Sequence, residues 1–234
     1  MAERQGPKVY SIAAHRGFAD ALVAGLVPRY ADDEFGLARL TLLVPSSRAR
    51  RTISEAFIRH AGEQGTPGLL MPRMAVVGDL DLDETLGPLL DPLGAADIPR
   101  AIEPQRRLFA LARLIADTMG DEAPGGATLL RLARETGATM DRLLVEGVGP
   151  EELVGESVLD LFGSLSDHWQ RSLHLFATVQ AKWLEQLQQW DALDAAARRN
   201  RLFDWAAARW RAAPPETPIV AAGVTSAAPS LARL

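Results

Sequence analysis

Apolar residues along the chain follow two regimes: short runs separated by polar turns up to about Asp79, and recurrence at helical spacing beyond it. Residues 9–14 (VYSIAA) are a short apolar run that predicts a buried strand. A turn at His15-Arg16-Gly17 and an amphipathic helix over Phe18–Tyr30 are expected to follow it. Residues 40–44 (LTLLV), bounded by Pro45-Ser46-Ser47, predict a second strand, with helical periodicity resuming through Ile53, Phe57 and Ile58. The third run, 69–77 (LLMPRMAVV), is interrupted by Pro72, which confines it to a sheet edge or a kink because proline gives no ladder hydrogen bond. Strands alternating with helices imply parallel pairing with right-handed crossovers, hence an open α/β sheet.

From Asp79 the segment GDLDLDETLGPLLDPLGAADIPR, rich in Asp, Gly and Pro, predicts a connector that leaves the sheet. Helical stripes follow over 103–119, 127–145, 166–190 and 191–212, with two short helices over 151–165. All five tryptophans fall in this half, which predicts a packed helical core. Pro214-Pro215 ends the last of these helices, and residues 218–223 (PIVAAG) return to a buried parallel strand. Val224-Thr225-Ser226 would be its turn and Pro229 the first position of a helix that breaks off at Leu234. The expected organisation is an α/β layer from 1–83 and 214–234, incomplete at its C-terminal end, interrupted by a helical insertion over 84–213.

With 234 residues, 47% of them hydrophobic, the chain can bury a substantial core. It has no apolar run of membrane-spanning length and no apolar leader, so a cytoplasmic location away from membranes is expected. The absence of cysteine excludes a disulfide framework, a thiolate nucleophile and cysteine-based zinc sites. Of the four histidines only His168 and His174 are close in sequence, and their spacing puts them on different helix faces, so no metal site is expected. A net charge of −5 argues against a generally basic nucleic-acid binder while leaving room for local patches.

Two turns could carry chemistry. The first strand-turn-helix is where a phosphate loop would sit, yet Ala13-Ala14-His15-Arg16-Gly17-Phe18-Ala19-Asp20 has one glycine, no lysine and no Ser/Thr for magnesium. It reads as a degenerate phosphate loop at His15, Arg16 and Gly17, or as an ordinary βα turn, and no nucleotide cofactor is expected. In the second turn, Ser46, Ser47, Arg48, Arg50 and Arg51 converge on a helix N-terminus. They can bind a phosphate there, or a serine can serve only as the N-cap with the arginines in solvent. The acidic run Asp79, Asp81, Asp83, Glu84 could invite magnesium but reads as a solvated connector. Arg198-Arg199-Asn200-Arg201 could touch phosphate and reads rather as an ion-pairing or solvated helix start.

The stretches LARLTLLVPSSRARRTISEAFIRHAG, PRMAVVGDLDLDE, DHWQRSLHLFATV and DAAARRNRLFDWAAARWRAAPPETPIVAAGVTSAAPSLARL together resemble, in order, the N-terminal region of alphaproteobacterial AddB. AddB is the partner of AddA in a helicase-nuclease for double-strand breaks. The resemblance implies an α/β, parallel-sheet fold like a superfamily 1 helicase motor domain, P-loop-type but degenerate, with a large all-helical insertion. It further implies no catalysis by this segment, a motor in an AddA-type partner subunit, and a nuclease of AddB itself beyond Leu234. Single-stranded or forked DNA would be touched by Ser46, Ser47 and Arg48, and at the comparable turn by Thr225 and Ser226. The family's turn there reads AGSTGS, whereas this chain has Ala222-Gly223-Val224-Thr225-Ser226-Ala227, without the second glycine. Two other classes compete: a small-molecule enzyme using the strand-edge turns as its pocket, and a protein-interaction module built on the tryptophan-rich helices.

Overall fold

A computed structural model describes residues 7–31, 35–65, 68–78, 86–91, 94, 96–149, 152, 167–225 and 228–234. The elements begin with α1 (Phe18–Tyr30), α2 (Gly36–Arg39), β1 (Thr41–Val44), α3 (Ser47–Glu63) and β2 (Arg73–Val76). They continue with α4 (Leu86–Leu90), β3 (Arg100–Ala101), α5 (Pro104–Met119), α6 (Gly126–Glu146) and α7 (Asp167–Gln189). The last are β4 (Ala192–Leu193), α8 (Ala195–Ala212), β5 (Ile219–Ala221) and α9 (Pro229–Arg233). The result is a mixed α/β fold with small parallel sheets and a large helical content. Two compact units share it, Met1–Asp79 with Pro215–Thr225 and Leu80–Pro214 with Ser226–Leu234.

In the first unit the sheet order is β2-β1-β5 and both pairings are parallel. β1 is central and buried at every position, as a continuous Leu/Val run in a parallel sheet requires. Leu42, Val44, Met74 and Val76 form one core with Val23 and Leu26 of α1 and Ile53, Ala56 and Phe57 of α3. Ile53, Ala56 and Phe57 recur at helical spacing, which commits that stripe of α3 to the core and leaves its arginines outside. Full burial of a side chain such as Phe57 is worth about 1.5–3 kcal/mol.

The strand expected over 9–14 does not form. The segment lies in no ladder, its last residue, Ala14, belongs to the turn before α1, and Val9 and Tyr10 are 89% and 64% exposed. β2 and β5 flank β1, and residues 9–14 pair with neither of the two outer strands, so this apolar run has no ladder partner. The Tyr10 ring is met instead by the Arg29 guanidinium of α1, 4.7 Å from its centroid. The run after Pro72 does form an edge strand, and residues 219–221 do return as a parallel strand.

In the helical unit, α5, α6 and α7 bury Leu111, Ile115, Ala133, Met140, Val179, Trp183 and Leu187 in a second core. A parallel pair, Arg100↔Ala192 and Ala101↔Leu193, was not expected, because two residues carry no periodicity. Residues 228–234 also depart from expectation: they group with the helices and not with the α/β layer. Arg233 of α9 reaches Asp204 of α8 at 2.8 Å, and Pro229 lies beside Gly147 after α6. The acidic run 79–84, the region 153–166 and Ser226 lie outside the described residues.

Candidate functional site

The carboxyl ends of the three parallel strands lie together at one edge of the sheet. The Ala222 amide donates to the Leu43 carbonyl at 2.8 Å, so the Ser46 turn after β1 and the Gly223–Thr225 turn after β5 are neighbours. On the other side the Val77 amide donates to the Val44 carbonyl at 2.9 Å. Gly78 follows, where a Cβ would stand 2.1 Å from the Pro45 carbonyl oxygen, so only glycine lets the two chains approach this closely.

The first turn reaches the same edge through Phe18. Gly223 has φ +65°, and a Cβ on it would lie 3.0 Å from the Phe18 ring. The turn itself closes with the Arg16 amide donating to the Ala13 carbonyl at 3.0 Å, and His15 and Arg16 are exposed. Gly17 caps α1 with no side-chain hydrogen bond, while Asp20 in its first turn binds Arg59 of α3 at 2.6 Å. That hydrogen bond holds the Arg59 guanidinium above its ordinary range. A carboxylate at the mouth of α1 makes this N-terminus a poor anion site even with its partner in place.

At α3 the situation is reversed. Ser46 is the N-cap, its hydroxyl accepting from the Ala49 amide at 3.2 Å, so the capping use of this serine is realised. The first turn of α3 carries no acidic residue, and a helix of 17 residues directs its dipole and its leading amides at the strand edge. Ser47 and Arg48 are exposed beside it. Arg50 is half-buried, which leaves its side chain less available than that of the exposed Arg48. Arg51 pairs with Glu55 one turn on at 3.0 Å, with its side chain 83% exposed, a contact weak enough to be exchanged for a ligand. Thr225 is exposed at the end of the β5 turn. The structure therefore brings Ser46, Ser47, Arg48 and Thr225 to one edge and turns Arg51 along the outer face of α3.

Sequence reasoning missed a buried polar network in the helical unit. The Arg107 Nη1 donates to Asp141 at 2.7 Å, and its Nη2 donates to the Gly137 carbonyl at 3.2 Å. Its Nε stands 2.8 Å from an Asp194 oxygen as an ion pair without hydrogen-bond alignment. The Trp183 indole donates to the same Asp194 carboxylate at 3.1 Å. Burial pushes the Asp194 carboxyl up; the Arg107 charge and the Trp183 hydrogen bond pull it down. Of the basic helix start, Arg198 donates to the Pro99 carbonyl at 3.2 Å and Asn200 to the Leu144 carbonyl at 2.7 Å, while Arg199 is buried near Phe203. These residues tie helices together. Trp183 is buried, and Trp190, Trp205 and Trp210 are half-buried, so the tryptophans serve this unit's own packing first.

Among the described residues no group of three or more His, Asp or Glu side chains could hold a metal ion, and no helix is long and apolar enough to cross a membrane. No family model, no curated protein and no solved structure matches the chain.

Proposed function

We propose that the α/β unit is a non-catalytic, helicase-like module that contacts the phosphate backbone of single-stranded or forked DNA at the carboxyl edge of its sheet. In this proposal it works in the cytoplasm within a helicase-nuclease complex for double-strand breaks, and an AddA-type subunit supplies the motor. The β1–β5 ladder carries the reading, because it sets the capped N-terminus of α3 beside the Thr225 turn at the edge where open α/β sheets bind ligands. Leading amides, a serine-capped first turn free of acid and the exposed Arg48 favour an anion there. The degenerate loop at His15, Arg16 and Gly17, facing Asp20, offers no comparable cradle for a nucleotide phosphate.

The test is a titration of a fluorescent single-stranded oligonucleotide with the whole chain at several salt concentrations. Each phosphate contact contributes a log–log slope of about −0.7 with single strands, so Arg48→Glu with Arg51→Glu should flatten the dependence by about 1.4. Binding that is independent of salt, or unchanged in the double variant, would remove the proposal.

A second reading, a small-molecule enzyme on the same sheet, is favoured by one observation. His15, whose imidazole is a side chain suited to general acid–base work, is exposed three residues before Phe18, the ring that meets the Gly223 turn. It predicts that His15→Ala abolishes turnover of a small substrate, whereas the DNA-contact reading predicts that His15→Ala leaves oligonucleotide binding within about twofold of the parent, a change of under 0.5 kcal/mol.

A further inference from the structure

The helical unit contains a cleft of about 720 Å³ that the proposed function does not use. Its volume falls within the range of small-molecule sites. It opens beside the β3–β4 pair and is lined by both chains of that pair, by the start of α5, and by Trp190 and Arg201. Arg106 lies over the Trp190 indole, 3.9 Å from the ring centroid, and Trp183 meets the same indole edge-on at 6.1 Å. The platform is thus braced against the buried core. The segment before β3 is fixed in turn by the Arg198 hydrogen bond to Pro99.

The cleft is chemically mixed. Arg100, Arg106 and Arg201 line it together with Asp97, Glu103 and Asp191, and none of these arginines is in an ion pair among the described residues. Matched charge removes the long-range attraction that would draw in a run of phosphates. Three local chemistries remain. A guanidinium placed over an indole accepts a planar aromatic ring. An exposed guanidinium takes one phosphate through paired hydrogen bonds. Carboxylates, which only accept, take hydroxyl and amino hydrogens.

A nucleotide presents all three partners in one molecule, and we infer that this cleft is a nucleotide site. The base stacks on the Arg106–Trp190 platform, the phosphate meets Arg100 and Arg201, and the carboxylates receive the sugar hydroxyls or base amino groups. A free nucleotide and the phosphorylated end of a single strand share this chemistry. The inference stands on the helical unit alone and does not rest on the reading of the α/β unit.

Calorimetric titration of the whole chain decides the matter, using nucleoside 5′-monophosphates, unphosphorylated nucleosides, a 5′-phosphorylated single-stranded oligonucleotide and an acidic dipeptide. Arg100→Glu with Arg201→Glu alters exposed side chains and preserves the core. The expected result is monophosphate or strand-end binding with Kd below about 1 mM, weakened about tenfold or more by that double variant. Monophosphate binding identifies a free nucleotide as the source; binding of the oligonucleotide alone, insensitive to Arg48→Glu with Arg51→Glu, identifies a strand end. No saturable binding at about 10 mM, binding indifferent to the Arg100/Arg201 variant, or preference for the acidic dipeptide overturns the inference. Oligonucleotide binding lost only in the Arg48/Arg51 variant overturns it while sustaining the α/β reading, and the converse result does the opposite.

Discussion

Replacing Arg107 by methionine should destabilise the helical unit far more than removing a surface arginine would. The Arg107 side chain is 13% exposed and stands between Asp141, also 13% exposed, and Asp194, 4% exposed. Methionine keeps the length and the packing but strands two carboxylates in a site nearly closed to water. Removing one partner of a buried ion pair costs about 3–5 kcal/mol, and solvent screening discounts this little at such burial. The cost should also depend on pH, with a definite sign. Burial already raises the Asp194 carboxyl in the parent, and loss of Arg107 removes the largest influence holding it down. A carboxyl with a folded pKa above its unfolded value contributes stability at low pH that is lost as pH rises through the folded pKa. The gap between variant and parent should therefore be smallest near about pH 4, the ordinary value of an aspartate in the unfolded chain, and should widen as pH rises to about 8. All five tryptophans lie in the helical half of the chain, so guanidinium unfolding followed by their fluorescence reads this unit directly. A loss below about 1 kcal/mol, the scale of a surface pair, or the same loss at both pH values, would refute the reasoning.

Four further outcomes follow from the α/β unit. Ser46→Ala should cost about 1 kcal/mol by removing the cap on α3, seen as a lower thermal midpoint. Ser46→Asp should keep the cap and the stability yet abolish oligonucleotide binding by placing a negative charge where the phosphate is proposed to sit; unchanged binding would count against the site. Gly223→Ala should destabilise by about 1 kcal/mol or more, since alanine is strained at φ +65° and its Cβ presses on Phe18, with Phe18→Ala in the same chain relieving part of the loss. Gly78→Ala should be worse tolerated than Gly62→Ala, because a Cβ at Gly78 meets the Pro45 carbonyl oxygen whereas one at Gly62 meets nothing within 4 Å; urea unfolding ranks the two.

What was legible in the sequence follows physical range. Helices with several turns of stripe, such as α3 with Ile53, Ala56 and Phe57 or α5 with Leu111, Ala112 and Ile115, declare themselves locally. So does the proline-limited edge strand β2. Residues 9–14 carry the composition of a strand, but a ladder needs a neighbour, and pairing is a property of the whole sheet. The two-residue β3–β4 pair and the Arg107–Asp194 contact join positions far apart in sequence, with no local pattern to announce them. At the candidate site, the Ser46 and Arg48 turn could be read from residue types beside a helix start. Its union with Gly223–Thr225 depended on strand order, and the role of Phe18 on the αL conformation of Gly223.

The central claim is that the turns after β1 and β5 form one phosphate-contacting site. Amide chemical-shift mapping of the whole chain during titration with a single-stranded oligonucleotide tests it most directly. The account predicts saturable shifts at Ser47, Arg48, Ala49 and Thr225 with a common affinity, lost together in the Arg48→Glu, Arg51→Glu variant. Shifts confined to one of the two turns, or absent from both, would contradict it.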